Sequence, residues 1–262
     1  MADEKPLIDA ATVMILRDRP EGMEVFMVVR HHQIDFASGA LVFPGGKIDA
    51  ADRDPELLDY CSGAEGLDAR DVAFRIGAIR ESFEECGVLF AREKGGTDYV
   101  GATRLQELDV WRDRFNAGET DMLTFAREEG LEFALDVFGH FAHWLTPDLM
   151  PKRFDTHFYA ARAPEDHIAL HDGSESVDSV WIRPSDAIAA ADNGSRTIIF
   201  PTRMNVEKLS KSLNVDAVIA ACGNVVTVEP FLKKDDDGTT FLRIQANAGY
   251  GDPKEPVGRI PK

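Results

Sequence analysis

Residues 80–89 read R-E-S-F-E-E-C-G-V-L and bring Glu81, Glu84 and Glu85 close together in the chain. On a helix, residues three and four apart lie on the same side, so these carboxylates would project from one face. Like charges at such spacings repel by roughly 0.2–0.5 kcal/mol per pair on an exposed helix, and a bound cation would reverse that cost. The stretch is therefore either a solvated acidic face or, because no Cys or His shares the cluster, a site for a hard cation such as Mg²⁺ or Mn²⁺.

The flanking sequence predicts the helix that this arrangement requires. Apolar residues recur at spacings of four and three, which is the pattern of an amphipathic helix with one buried face. Asp71 can cap the start of this helix, and Gly87 suits its end. We therefore expect a helix over about residues 72–86. Its buried positions would be Val72, Ile76, Ile79, Phe83 and Cys86.

A glycine turn precedes this helix in the chain. Residues 41–47 read L-V-F-P-G-G-K, a short apolar strand that runs into Gly45 and Gly46. Glycines in such a turn allow the backbone to approach a ligand closely. The turn is therefore a candidate binding element, with Lys47 beside it as a nearby cation.

Together the two segments resemble the Nudix hydrolase family, whose sequence box is G-x5-E-x7-R-E-U-x-E-E-x-G-U, where U is a bulky apolar residue. Gly46 and Asp52 take the first two positions, with aspartate in place of glutamate. Residues 53–79 stand where the family has seven residues, so an insertion splits the box, and we expect it to form a loop over about residues 53–70. The remaining positions hold Arg80, Glu81, Glu84, Glu85, Gly87 and Val88.

The split box is similar to one branch of the family, the Nudix-19 type, a coenzyme A diphosphatase-like group. The matching segments are residues 36–52, residues 71–89 and the R-F-D-T-H-F-Y of residues 153–159. This resemblance implies an α/β fold, the Nudix αβα sandwich with a mixed central sheet. It also implies a single Nudix hydrolase domain over residues 1–262.

The resemblance implies Mg²⁺- or Mn²⁺-dependent hydrolysis of a diphosphate linkage in a nucleoside diphosphate derivative, with coenzyme A or acyl-CoA preferred. ADP-ribose, another nucleotide sugar or a dinucleotide is the alternative substrate class, because Asp35 stands where many enzymes that cleave coenzyme A have an arginine. A Nudix-fold module that senses a nucleotide without cleaving it is a third alternative. All three box glutamates are retained, which argues against that alternative.

The same resemblance assigns roles to individual residues. Glu81, Glu84 and Glu85 would hold the metal and take part in catalysis, and Arg80 would orient them. Either Glu81 or Glu175, which lies in a polar loop before a W-x-P-type strand end, would serve as the catalytic base. The residues expected to bind substrate are Arg30, Gly45, Gly46, Lys47 and Arg153.

Composition narrows the class of protein. The formal net charge of −17 argues against nucleic acid as a partner, because binding the phosphate backbone requires a basic surface. No apolar run approaches the roughly 20 residues of a membrane span, and the first residues lack the features of a signal peptide. The three cysteines show no metal-binding spacing. We expect a cytoplasmic protein with a small nucleotide-type substrate, and the sequence leaves a homodimer open.

The rest of the chain is expected to alternate between strands and helices. A hairpin opens it, and His140 and His143 alternate along an apolar strand, which indicates a structural role. Residues 99–131 are expected to form a helical insertion of two helices broken near residue 117. A helix begins at Pro184 with Ser or Asp as its cap. The other expected elements are strands over 11–16, 24–30, 138–145, 153–162 and 177–182, a helix over 204–222, a hairpin over 225–244 and a flexible tail from 249 to 262.

Overall fold

The computed structural model describes residues 6–30, 39–148, 150–167 and 176–256, with the backbone alone at residues 30, 176 and 177. Its strands are β1 (Leu7–Arg19), β2 (Gly22–Arg30), β3 (Leu41–Val42), β4 (Gly45–Lys47), β5 (Cys61–Ser62), β6 (Ala91–Glu93), β7 (Leu131–Ala134), β8 (Gly139–Leu145), β9 (Arg153–Arg162), β10 (Ser176–Ile182), β11 (Thr227–Val228), β12 (Phe231–Lys234), β13 (Thr240–Arg243) and β14 (Lys254–Pro256). Its α-helices are α1 (Ala69–Cys86), α2 (Ala102–Leu108), α3 (Val110–Asn116), α4 (Met122–Glu129), α5 (Pro184–Asp192), α6 (Phe200–Leu209) and α7 (Val215–Ala220).

A mixed sheet in the order β10-β2-β1-β9-β8-β11 forms the centre of the fold, with β3 and β4 paired to β2 and β1. β1 runs parallel to β9 and antiparallel to β2. Two smaller sheets, β5-β7-β6 and β12-β13-β14, lie apart from it. The mixed sheet and the opening hairpin expected from the sequence are confirmed.

Helices cover both faces of the central sheet, because successive side chains of a strand point to opposite sides. Ala11, Val13 and Ile15 of β1 pack in one hydrophobic cluster with α1 and the helices that follow it. Met14 and Leu16 pack in a second cluster with α5, α6 and α7. The α/β sandwich expected from the sequence is therefore present.

Helix α1 begins at Ala69, three residues earlier than expected. The cap is Asp68, whose side chain accepts a hydrogen bond from the backbone N–H of Asp71, so the expectation that Asp71 caps the helix is wrong. Gly87 ends the helix in the left-handed conformation, at φ 66°, as expected. The five apolar positions expected to be buried are all buried.

The helical insertion consists of three helices, α2, α3 and α4, where two were expected. Its aromatic residues pack against Phe83 of α1, with ring centroids 5.4 Å away at Phe125 and 6.3 Å away at Phe115. An aromatic ring at position 83 therefore reaches the insertion.

Residues 53–70 were expected to form a loop, but short regular elements occupy much of this segment. Two 3-10 helices, Ala51–Arg53 and Pro55–Tyr60, are followed by β5, which pairs with β7. The side chain of Asp54 caps the second of these helices by accepting from the N–H of Glu56. Leu57 anchors the segment because its side chain is fully buried.

Three further expectations require correction. Pro184 occupies the first turn of α5 and Arg183 precedes it without a side-chain cap, so neither Ser nor Asp caps this helix. The helix expected over residues 204–222 is two helices, because Asn214 caps a new start by accepting from the N–H of Ala217. The tail expected from residue 249 contains β14, which pairs with β13, and residues 257–262 lie outside the described part.

Within the described residues, the structure contains no helix that is both long enough and apolar enough to span a membrane. The extent of the domain over residues 1–262 stays a prediction.

Candidate active site

Helix α1 holds the three box glutamates at its C-terminal end. Its apolar face is buried in the core, so the glutamates project from the side of the helix that faces β4. The side chains of Glu81 and Glu84 are only 12% and 15% exposed. Carboxylates shielded to this extent need partners, because partial burial penalises a charge that is left uncompensated.

The glycine turn lies directly against these carboxylates. The backbone N–H of Gly45 donates to Oε2 of Glu85 at 3.0 Å. A β-carbon at Gly46 would stand 2.4 Å from Oε1 of Glu81, so any other residue at position 46 would displace the side chain of Glu81. The two halves of the split box are therefore in contact across the insertion.

Gly45 is required by the path of the backbone. The chain leaves β3, which pairs with β2, and enters β4, which pairs with β1. Gly45 adopts φ 152° at this change, and a β-carbon there would stand 2.3 Å from the carbonyl oxygen of Ala11. A side chain at this position would therefore disturb the pairing of β4 with β1.

Arg80 joins the two halves of the box. Its Nε and Nη2 each donate to Asp52 at 3.0 Å, and Nη2 also donates to the carbonyl oxygen of Lys47 at 2.8 Å. Its Nη1 donates to Oε1 of Glu81 at 3.0 Å and to Oε1 of Glu84 at 3.1 Å. Burial lowers the pKa of the guanidinium, but these carboxylates outweigh that effect and raise it above its ordinary value.

Asp52 fixes Arg80 from the side away from the glutamates. The residue is only 2% exposed and also accepts a hydrogen bond from the N–H of Asp49 at 2.9 Å. Burial raises the pKa of its carboxyl, and the bonds from Arg80 oppose that shift. The family position that normally holds glutamate is thus occupied here by the partner of Arg80.

The helical insertion contacts the carboxylate helix through Arg112 of α3. Its Nη2 and Nε donate to the backbone carbonyl of Glu84 at 3.0 and 3.2 Å. The last carbonyls of a helix lack partners within the helix, and a cation placed there also interacts favourably with the helix dipole. Arg112 therefore stabilises the end of α1 that carries the site, a role that no sequence motif predicted.

The donor set fits a hard divalent cation. Three carboxylates contribute oxygen atoms alone, and burial raises the pKa of Glu84 against the opposing effect of Arg80. Within the described residues, the three glutamates do not form a group whose ligand atoms all lie within 4.8 Å of one another. Mg²⁺ takes oxygen ligands and is often held by one or two carboxylates with several waters, so these three glutamates stay predicted ligands.

The other residues expected to bind substrate lie in different surroundings. Lys47 is exposed beside the glycine turn. Arg153 is buried at the start of β9, where it contacts Asp148 at 2.5 Å and Glu229 at 2.9 Å. It pairs with Leu7 of β1, whereas Gly46 pairs with Ala11, roughly 13 Å further along the strand. The structure therefore does not bring Arg153 together with the box.

Two expected site residues cannot be placed. Glu175 lies outside the described residues, and only the backbone of Arg30 is described, at the end of β2.

Comparison with known proteins identifies related chains. A family model described as the NUDT19 Nudix domain matches residues 63–209. The human protein named acyl-coenzyme A diphosphatase NUDT19 is 30% identical over 208 residues, which cover 64% of this chain and 55% of that protein. Its Gallus gallus counterpart of the same name is 29% identical and covers 64% of this chain and 56% of its own. The chain therefore spans little more than half the length of these relatives.

A solved structure supports the fold. The crystal structure of a Nudix hydrolase from Alicyclobacillus acidocaldarius superposes with a TM-score of 0.68 at 24% identity, covering 84% of this chain and 98% of that one.

Proposed function

The chain belongs to the Nudix family, in the branch described by the NUDT19 Nudix domain, and on that premise we propose that it hydrolyses the diphosphate linkage of coenzyme A or acyl-CoA. The substrate class rests on relatives that are named acyl-coenzyme A diphosphatases. Cleavage at the diphosphate would release a phosphopantetheine and adenosine 3′,5′-bisphosphate.

One observation carries the proposal of catalysis. The Gly45–Gly46 turn and the carboxylates of α1, which are separated in sequence by the insertion, meet at contact distance, with the N–H of Gly45 3.0 Å from Oε2 of Glu85. A module that merely binds a nucleotide would not require three carboxylates at this point. We therefore favour a hydrolase over a non-catalytic sensing module.

Mg²⁺ or Mn²⁺ is the cofactor that this donor set favours, with Glu81, Glu84 and Glu85 as its ligands. When bound, the ion would neutralise phosphate charge and lower the pKa of an attacking water. The chain itself supplies the position of the carboxylates, since Arg80 holds both Glu81 and Glu84 by charge-assisted hydrogen bonds. Arg80 is thus a positioning residue.

A carboxylate must accept the proton of the attacking water. Glu81 is one candidate, because it lies against Gly46 at the glycine turn. Glu175 is the other candidate. Substrate contacts are proposed for Gly45, Gly46 and Lys47 at the turn, and for Arg30 and Arg153. The role of Arg153 would require its guanidinium to exchange one acidic partner for a phosphate.

The remaining assignments rest on composition. The net charge of −17 supports a small-molecule substrate and argues against nucleic acid. All three cysteines are free thiols, which supports a reducing compartment such as the cytoplasm. A homodimer stays a proposal from the sequence.

A substrate panel tests the proposed function. Product release is measured with Mg²⁺ for coenzyme A, acyl-CoA, ADP-ribose, NADH and a dinucleoside polyphosphate. The proposal predicts the highest kcat/KM with coenzyme A or its acyl derivatives. A higher kcat/KM with ADP-ribose or a dinucleotide would show that coenzyme A is not the preferred substrate. If no member of the panel were hydrolysed, the proposal that the protein is a hydrolase would be wrong.

A further inference from the structure

A second cluster of side chains of the types that ligate metals lies on the central sheet and shares no residue with the box. His143 of β8 pairs directly with His157 of β9 in the strand register, and Asp155 is two residues before His157 on the same face. One ligand atom from each residue lies within 4.8 Å of the others, and within the described residues this is the sole group of this kind. Neither the family box nor the proposed reaction uses these residues.

The side chains converge on one carboxylate oxygen. Nε2 of His143 lies 2.5 Å from Oδ1 of Asp155, and Nε2 of His157 lies 3.6 Å from the same oxygen. The two imidazole rings are 4.2 Å apart between centroids. Small side-chain adjustments would place two nitrogens and one oxygen around an ion with bonds of about 2.0–2.2 Å.

The side chain of His157 is buried without a hydrogen-bond partner among the described residues. The residue is 7% exposed, yet neither of its ring nitrogens forms a hydrogen bond within the described protein. Leaving a buried polar group unsatisfied costs roughly 1–3 kcal/mol. A ring nitrogen without a hydrogen-bond partner can present its lone pair to an ion.

We propose that His143, Asp155 and His157 form a binding site for a divalent transition-metal ion, with Zn²⁺ preferred. Two imidazoles with one carboxylate suit zinc and neighbouring first-row metals, whereas Mg²⁺ prefers oxygen ligands alone. The ion would replace the hydrogen bond between His143 and Asp155, and the ring proton of His143 would move by exchange with solvent from Nε2 to Nδ1, so the imidazole stays neutral.

The surroundings of the cluster resemble the outer shell of a metal site. Nδ1 of His143 lies 2.8 Å from Oγ1 of Thr227, so its N–H can donate to that hydroxyl once Nε2 is on the ion. Arg70 donates to Oδ2 of Asp155 at 2.7 Å, which leaves Oδ1 directed at the histidines. Arg70 also pairs with Asp9, which balances its charge next to the site.

The cluster shares no residue with the box, and its position indicates a structural role. It lies beside the first turns of α1, where the ring of Phe74 is 4.3 Å from that of His157. Phe74 precedes Glu81 by seven residues, or roughly 10 Å along the helix at 1.5 Å per residue, and in the sheet Ala11 separates His157 from Gly46. An ion here would cross-link β8 to β9 and, through Asp155 and Arg70, fix the start of α1.

Binding of Zn²⁺ and Co²⁺ to the purified chain tests this site. We expect wild type, after removal of metal with a chelator, to bind Zn²⁺ with a rise in Tm, because an ion that binds the folded state stabilises it. Co²⁺ should give the visible absorption of a histidine-ligated ion. His157→Gln and His143→Gln should each weaken Zn²⁺ binding roughly 100-fold or more.

Two controls separate this site from other sources of binding. Glu84→Gln changes the box and should leave the Zn²⁺ affinity unchanged, so failure of the proposed function would not affect this result. His167→Gln removes a buried histidine outside the cluster and should also have no effect. Equal Zn²⁺ affinity in wild type and His157→Gln, or loss of binding in Glu84→Gln alone, would overturn the proposal.

One measurement does not depend on whether the variants fold. Crystals of wild type soaked in Zn²⁺ should show anomalous density between His143, Asp155 and His157. Zinc at other positions alone, or no Zn²⁺ or Co²⁺ binding by wild type in solution, would refute the site.

Discussion

Gly46 lies so close to Glu81 that a β-carbon at position 46 would stand 2.4 Å from Oε1 of that glutamate. The atom it would meet is the far end of a flexible side chain. Gly46 does not have a positive φ, so its backbone conformation accepts an alanine. The lack of a side chain at position 46 therefore controls where the Glu81 carboxylate stands.

Gly46→Ala should consequently impair catalysis more than folding. We expect kcat to fall by roughly tenfold or more as Glu81 moves, equivalent to about 1.4 kcal/mol in activation free energy. The free energy of unfolding should change by less than about 1 kcal/mol. Steady-state kinetics and urea unfolding on the same preparation check both values, and an unchanged kcat would contradict the assigned role of this contact.

Gly45→Ala is the matched comparison and should behave in the opposite way. It forces a side chain onto φ 152° and against the backbone carbonyl of Ala11, which cannot move without disturbing β1. Strained backbone conformations cost about 1–3 kcal/mol, and the clash adds to this. Urea unfolding should show a larger loss of stability than for Gly46→Ala.

The ion pair between Asp52 and Arg80 is expected to stabilise the protein. Asp52→Asn leaves the guanidinium without its most buried partner, and we expect a loss of about 3 kcal/mol in unfolding free energy, since breaking a buried pair is costly. Asp49→Asn is the control, because that carboxylate is 65% exposed and 3.7 Å from Nη2 of Arg80. The control should lose less than about 1 kcal/mol. Similar losses of unfolding free energy in both variants would show that the burial of Asp52 does not strengthen its contribution to stability.

The contact between Arg112 and the end of α1 should connect the insertion to activity. Arg112→Gln removes two donors from the carbonyl of Glu84, and we expect a lower kcat with a loss of about 1–2 kcal/mol in stability. Arg114→Gln changes the same charge on the same helix but contacts Trp111 and Glu128. If both variants kept the kcat of wild type, the insertion would not position the site through Arg112.

The buried His167 should make stability depend on pH. Burial lowers its pKa from 6.5 in the folded state, while its Nε2 lies 2.8 Å from the carbonyl oxygen of Val100. As pH falls through 6.5, the unfolded chain binds a proton that the folded chain does not, so stability decreases. This residue can contribute at most about 1.4 kcal/mol per pH unit.

His167→Gln should therefore lose less stability than wild type between about pH 7 and pH 5. Urea unfolding of both proteins in a chelator, at intervals across that range, measures the difference. If the stabilities of wild type and His167→Gln changed in parallel with pH, His167 would not contribute to the pH dependence, because the other buried histidines are common to both proteins.

The local pattern of the chain predicted the helix of the site and its buried face. Spacing alone identified the burial of Phe83 and Cys86, because helical periodicity is a local property. The end of α1 at Gly87 was also predicted locally, because glycine readily adopts the left-handed conformation that ends many helices. Capping was harder to predict, since Asp68 and Asp71 are both suitable caps and the choice depends on the preceding chain.

Contacts across the insertion could not be predicted from local patterns. Asp52 was recognised by its position relative to Gly46, but its bonds to Arg80 depend on how residues 53–79 fold back. Arg112 has no motif to mark it, because its partner is a backbone carbonyl that any residue provides. The cluster of His143, Asp155 and His157 arises from the register of β8 and β9, and sequence spacing indicated a structural role for His143.

The most direct test of the central claim is cleavage of coenzyme A by wild type beside Glu84→Gln, with Mg²⁺ present and after its removal by a chelator. Glu107→Gln serves as the control, because Glu107 is an exposed glutamate on α2. The proposed mechanism predicts release of adenosine 3′,5′-bisphosphate by wild type and by the control, in each case dependent on the metal. The rate should fall at least about 100-fold in Glu84→Gln, or about 2.7 kcal/mol in activation free energy. Equal turnover by Glu84→Gln, or cleavage that persists without metal, would contradict it.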